Sequence, residues 1–260
     1  MYAAMAGVYH LLFPAREAQL EFLAALAGAP PARAVDVACG TGEYVAALLA
    51  RGYDASGVEL DATMLAAGLK RHPELAGAAQ GGGGAGALRL LQGDMLDLFD
   101  VTRGPYALAY CIGNSLPHLA SDVQVAETLS QLWDLTRPAG AVCVQVVNFD
   151  RVLAQMQAGA GAGGQSGHAG FAMPPMSIAR ADGAAVEFSR GYTPAGEGRV
   201  LFRTQLRIGE ERHVGETPLL TLTRARLEAA LPRGVQAAWY GDYDSRAWSA
   251  EAPATILVFK

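Results

Sequence analysis

Apolar positions along the chain fall into short blocks whose spacing alternates between helical and extended periods. Leu20, Leu23, Ala24 and Leu26 recur at three-to-four spacing within residues 15–27, which predicts an amphipathic helix. Residues 34–38 (AVDVA) read as a short buried strand, Gly40 and Gly42 as a turn, and VAALLA as a helix stopped by Gly52. SGVEL predicts a second strand, Asp61 an N-cap for the helix ATMLAAGLKR, and Pro73 its end. LRLLQGDML and YALAYCIG predict further strands, residues 122–137 a helix, and AVCVQVVNF a buried strand. Nearly apolar strands alternating with helices predict an α/β, doubly wound fold with a mostly parallel seven-stranded sheet covered on both faces.

After Phe149 the texture changes. Residues 159–170 (GAGAGGQSGHAG) read as a flexible loop, and AAVEFSRGY, RVLFRTQLRIG and ERHVGETPLLTL as three strands of an antiparallel meander. Thr223 opens a helix, and QAAWYGDYD and PATILVFK supply two last strands. The expected division is an N-terminal helical and α/β core at 1–158, a glycine-rich loop and antiparallel insertion at 159–222, and a last helix and strands completing the core sheet at 223–260.

Composition narrows the class. Of 260 residues, 51% are hydrophobic and 17% charged, with a net charge of −5, so the chain buries enough apolar surface to fold. No Lys/Arg-rich run supplies the clustered cations that nucleic acid requires. No stretch reaches the length of a membrane span, nothing marks the N-terminus for export, and Cys39, Cys111 and Cys143 show no metal-ligand spacing. The expectation is a cytoplasmic protein with reduced thiols, acting on a small molecule. Eleven of the 31 glycines lie in residues 81–86 and 159–170, so the glycine excess belongs to two loops.

Gly40 and Gly42 after a strand let the backbone turn sharply and approach a ligand. Glu59, nineteen positions after Gly40 at the end of the next strand, is placed to accept from two ribose hydroxyls. The third glycine of a dinucleotide fingerprint is absent, and Glu43 would repel a pyrophosphate. An adenosine ligand without phosphates suits the loop better than NAD, and a positive centre on it would suit Asp36.

VDVACGTGEY, GVELDATML, LQGDMLDL and YCIGNSLPHL, in this order, resemble the successive motifs of class I S-adenosylmethionine-dependent methyltransferases. Tyr9 with Phe13-Pro14, and WYGDYD near the C-terminus, resemble small-molecule members of the glycine and sarcosine N-methyltransferase type. The resemblance implies that Asp36, Ala38, Cys39, Gly40 and Gly42 hold the methionine moiety of S-adenosylmethionine. It implies Glu59 at the ribose, with Leu60 and Met64 near the adenine. Asp94 would take the adenine amino group, the Met95 amide would face the ring, and Cys111 and Ile112 would line the methionine end.

The same resemblance points Tyr9, Asn114 and His118 at methyl transfer to a nitrogen or oxygen of a small acceptor, with His118 a candidate general base. Ala38 stands where glycine is commoner, and His10 where the family often has Asp. Two other readings share the fold: a non-catalytic module that binds the cofactor or a nucleotide, and an NAD-dependent oxidoreductase. His72 and His213 read as surface residues, and Arg203, Gln205 and Arg207 as one wet face of a strand. The meander could cover its own site or a neighbour's in a homodimer.

Overall fold

The computed structural model describes residues 2–77, 89–161, 170–180 and 183–260. Two short helices, α1 (Tyr2–Met5) and α2 (Tyr9–Leu12), precede α3 (Glu17–Ala27), which buries Leu20, Phe22 and Leu23. Then β1 (Arg33–Val37), α4 (Glu43–Ala50), β2 (Asp54–Glu59) and α5 (Ala62–Arg71) follow. Asp61 caps α5 by accepting from the Thr63 and Met64 amides. Next come β3 (Leu90–Gln92), α6 (Leu98–Val101), β4 (Tyr106–Cys111), α7 (Asp122–Asp134) and β5 (Thr136–Val147).

Helix α7 ends three residues earlier than its pattern suggests. The Leu135 carbonyl accepts from Tyr106 of β4 at 2.8 Å, and Pro138 disfavours helical geometry at the residue before it. Helix α8 (Phe149–Gly161) is an element the sequence reading missed, although Phe149, Val152 and Met156 carry a helical spacing and are buried. It takes the first three residues of the expected glycine-rich loop. Most of that loop, and residues 81–86, lie outside the described residues.

Strands β6 (Phe171–Ala172), β7 (Met176–Ala179), β8 (Ala185–Pro194), β9 (Arg199–Ile208) and β10 (Glu211–Leu220) make an antiparallel sheet. The expected three-strand meander is β8 to β10; β6 and β7 are additions, short and interrupted by Pro174 and Pro175. After it come α9 (Arg224–Ala229), capped by Thr223, and strands β11 (Ala237–Tyr240) and β12 (Ala254–Phe259).

The main sheet runs β11-β12-β5-β4-β1-β2-β3. Pairings among β3, β2, β1, β4 and β5 are parallel, and β12 is antiparallel to both β5 and β11. Strand order reverses between β1 and β4, where open α/β sheets place their ligand crevice, outside the carboxyl ends of the strands. Alternation along each strand divides the core. Val35, Val37, Val142 and Val144 face α7, α8 and the antiparallel sheet, whereas Ala34, Leu108, Tyr110 and Cys143 face α3 and α4. A third cluster joins Met5, Val8 and Leu12 to Val186, Phe188 and Leu206, seating the N-terminal helices on the antiparallel sheet.

Candidate functional site

The loop after β1 is held in an unusual backbone course. Ala38, Gly40 and Gly42 all have positive φ, at 62°, 60° and 78°. The Ala38 and Cys39 amides donate to the Val58 carbonyl at 2.8 and 3.1 Å, tying the loop to β2. Two glycines outside the loop make room for it. A Cβ on Gly57 would lie 2.6 Å from Cys39 Sγ, and one on Gly68 would lie 2.5 Å from the Thr41 carbonyl oxygen. Helix α5 therefore approaches the loop backbone more closely than any side chain would permit.

Glu59 closes the loop from the end of β2. Its Oε2 accepts from the Gly40 amide and its Oε1 from the Asp61 amide, both at 2.9 Å. A carboxylate offers about four lone-pair sites, more than these backbone amides use. Burial raises the Glu59 pKa, and the amides of Asp61 and Gly40 oppose the rise by favouring the charged form. Leu60 beside it is 62% exposed, an apolar surface next to a polar clamp, while Met64 is buried below.

Asp36, at the end of β1 on the face beneath α3 and α4, is buried and its Oδ1 has no hydrogen-bond partner among the described residues. Burial pushes its pKa well above the carboxylate range, and the charge on Glu59 adds to the rise. The Tyr110 hydroxyl opposes it from the neighbouring strand, where Tyr110 pairs in register with Asp36, but it falls short of hydrogen-bond geometry. Thr41 Oγ1, on the same loop, is likewise buried without a partner. Asp94 is half-buried past the end of β3 and accepts from the Leu96 amide at 3.0 Å, with Met95 half-buried beside it.

Past β4 the chain turns through Gly113 and Asn114, the latter at φ 71°. Asn114 Oδ1 accepts from the Val147 amide at 2.9 Å, and Gln145 Oε1 accepts from the Gly113 amide at 2.8 Å. The Asn114 carboxamide thus fastens the end of β4 to the end of β5, a pairing across 33 positions that the sequence does not display. Cys111 is fully buried, as is most of Ile112, so the Cys111 side chain packs into the core and only its backbone can border a crevice. His118 ends a 3₁₀ turn at Leu116–His118 that packs on β10, and burial lowers its pKa below the usual 6.5. It is therefore neutral, and able to accept a proton, at neutral pH.

The N-terminal helices also meet the loop. The Tyr9 ring lies 3.1 Å from where a Cβ on Gly40 would stand, with the Met64 methyl 3.5 Å away, and the Tyr9 and Phe13 rings are 4.9 Å apart. Tyr240 and Tyr243 pack edge-on against Phe22 of α3 at 5.3 and 5.5 Å, and the charge of Asp36 reaches Tyr243. His72 departs from its expected surface role. It is half-buried, with Nε2 3.1 Å from Glu43 Oε1, which Arg71 Nε also approaches at 3.1 Å. Arg203 and Arg207 are exposed and pair with Glu216 and Glu187, which fits a wet face. No group of three or more His, Cys, Asp or Glu suited to a metal occurs among the described residues, and no helix among them is long and apolar enough to cross a membrane.

A Rossmann-like sheet with an antiparallel edge, a glycine loop after β1, and acidic residues past β2 and β3 together make a fold shared with solved methyltransferase structures. Residues 34–140 match a family described as a methyltransferase domain. Over 121 residues the chain is 30% identical to the glycine/sarcosine N-methyltransferase of Halorhodospira halochloris, covering 46% of this chain and 42% of that protein. The match thus spans less than half the length of that curated relative.

Among solved structures, the CcbJ methyltransferase of Streptomyces caelestis superposes with a TM-score of 0.71 at 17% identity, covering 100% of this chain and 97% of that one. The sugar N-methyltransferase KedS8 of a Streptoalloteichus species superposes at 0.60 with 21% identity, over 96% and 92%. Residues 34–140 thus resemble a methyltransferase domain, and the chain as a whole shares the fold of these solved structures.

Proposed function

We propose that the protein transfers a methyl group from S-adenosylmethionine to a nitrogen or oxygen of a small-molecule acceptor. The observation that carries this reading is the Glu59 carboxylate, which joins the Gly40 and Asp61 amides and has acceptor capacity left for ribose hydroxyls. The unpartnered Asp36 Oδ1 and the exposed Leu60 fit the same ligand: one favours a positive centre at the loop, the other a flat apolar ring.

In this reading Asp36, Ala38, Cys39, Gly40 and Gly42 border the methionine moiety, together with the backbone at Cys111 and Ile112. Leu60, Met64 and Met95 flank the adenine, and Asp94 accepts from its amino group. Bound S-adenosylmethionine supplies an electrophilic methyl carbon on a sulfonium centre. The chain's own work is to align two reactants and keep water out. Tyr9 walls the methionine side of the crevice. Asn114 acts as a positioning residue, holding the ends of β4 and β5 together. His118, neutral at working pH, takes the proton an acceptor hydroxyl or ammonium must lose. Acceptor choice belongs to the 159–222 insertion, and a reducing cytoplasm suits three free, buried cysteines.

Isothermal titration tests the reading. Wild type should bind S-adenosylmethionine, and Gly40→Val and Asp94→Ala should not. Binding of NAD in preference to S-adenosylmethionine would sink it. Release of S-adenosylhomocysteine over a panel of amines, phenols and sugars then identifies the acceptor.

A further inference from the structure

Strand β8 presents Val186, Phe188, Arg190 and Tyr192 on one face, by the alternation of an extended chain. Val186 and Phe188 pack on the N-terminal helices, and Tyr192 packs with Phe149 in the main core. The row is apolar except for Arg190.

Its guanidinium carbon lies 5.6 Å from the Phe13 ring centre and 5.7 Å from that of Phe188. Arg190 Nε is buried with no hydrogen-bond partner, and no Asp or Glu neutralises the group among the described residues. Burial lowers its pKa, and the nearby charge of Arg16 lowers it further; only Tyr192 and Tyr9 act in the other direction. The aromatic rings attract the cation but cannot accept its forked N–H bonds.

Arg33 and Arg89, by comparison, each have Asp54 within 4 Å. Arg190 has two rings instead, and through Phe13 and Tyr9 those rings lead directly to Gly40.

We propose that Arg190 is a specificity residue that binds an oxyanion, a carboxylate or phosphate, carried by the methyl acceptor, with Phe13 and Phe188 flanking the acceptor's apolar part. The assignment rests on the methyltransferase reading for the word acceptor. The guanidinium fork matches either anion with two parallel hydrogen bonds, and the Nε left unmade in the free protein becomes one of them. Selection follows from chemistry: a neutral isostere would leave the buried Nε of Arg190 unsatisfied.

The test uses the full chain, saturated with S-adenosylhomocysteine, and two probe pairs: phenylacetate against phenylacetamide, and phenyl phosphate against phenol. Expected for wild type is preference for one anion over its neutral partner by tenfold or more in Kd. Arg190→Met should abolish the preference and Arg190→Lys retain part of it, with S-adenosylhomocysteine affinity held within about twofold. Whichever anion wins identifies the group.

Because Arg190→Met removes a half-buried charge whose Nε has no partner, its thermal midpoint should equal or exceed that of wild type. Three results overturn the proposal: equal or absent binding of acid and neutral probe by wild type, an anion preference that survives Arg190→Met, or a tenfold loss of S-adenosylhomocysteine affinity in Arg190→Met. The last would give Arg190 to the cofactor's own carboxylate. Failure of wild type to bind S-adenosylhomocysteine at all would instead strike the methyltransferase reading, and the probes are then titrated without it.

Discussion

The carboxylate of Glu59 holds the amide of Gly40 at 2.9 Å, so the residue we propose for the ribose also fixes the glycine loop. Its second oxygen holds Asp61, the N-cap of α5. Glu59→Gln keeps shape and loses one acceptor, since the carboxamide NH₂ would face a backbone N–H. Loss of that charge-assisted bond should cost about 1.5–3 kcal/mol in urea unfolding. S-adenosylhomocysteine affinity, read by titration calorimetry, should fall about 10- to 100-fold, which is about 1.4–2.8 kcal/mol. Unchanged stability would show that the two amides do not depend on the carboxylate.

Ala38 occupies a left-handed backbone position at φ 62°, where a Cβ is disfavoured. Ala38→Gly should stabilise the fold by up to about 1 kcal/mol, the strain relieved being partly offset by the greater freedom of glycine when unfolded. Chemical denaturation with an unchanged m-value is the measurement. A loss of stability would mean that the alanine methyl makes packing contacts worth more than the strain.

Gly57→Ala should do the reverse. The new methyl would stand 2.6 Å from Cys39 Sγ and 2.9 Å from Cys39 Cβ, in a fully packed layer between β2 and α4. Overpacking of this kind costs about 1–3 kcal/mol. The double variant Gly57→Ala/Cys39→Ala should recover only part of it, since the 2.9 Å approach to the Cβ of residue 39 remains, and thermal unfolding of the four proteins closes the cycle.

Asp36 titrates against the usual direction. Its folded pKa is raised well above 3.8, so the unfolded chain ionises while the folded one resists. The contribution of Asp36 is therefore intact below about pH 4 and is lost as pH rises towards the folded pKa. Asp36→Asn should be more stable than wild type at pH 7, by about 1–3 kcal/mol, with the gap closing in acid. If the two proteins show the same pH dependence, Asp36 is paired in solution.

His118 has the opposite sign. Its folded pKa lies below 6.5, so it favours the fold above that value and costs stability as the pH drops towards the folded pKa. If it takes the acceptor's proton, the acid limb of the rate profile should fall below pH 6.5 and vanish in His118→Ala. That variant should lose roughly 10²- to 10⁴-fold in rate on a hydroxyl acceptor. Full rate across neutral pH would remove the base and leave methyl transfer intact.

Much of the core was legible because local signals agreed with the tertiary arrangement. The AVDVA run, the glycine pair, the Asp61 cap and the strand ending at Glu59 each carry their own mark, and together they place the loop and its carboxylate. What stayed hidden depends on partners distant in the chain. Nothing near Asn114 announces that its carboxamide serves Val147, and nothing near Asn148 announces that its Nδ2 reaches the carbonyls of Ser249, Ala250 and Ala252. Helix α8 was masked by the glycines that follow it, though its buried stripe was there to count. Arg190 was readable too, since Val186, Phe188 and Tyr192 at alternate positions already put it on the inner face.

The antiparallel pairing of β12 with β5 joins Ala254 to Val147, with the whole five-stranded sheet folded from the chain between them. Until that pairing forms, β5 is an uncovered edge carrying Val142, Cys143, Val144 and Val146, all of which end fully buried. A bare apolar edge of that length is the kind of surface on which strands from other molecules add. The rate at which the insertion folds therefore sets how long the main sheet is open to aggregation, and variants that slow the insertion should lower soluble yield without touching the core.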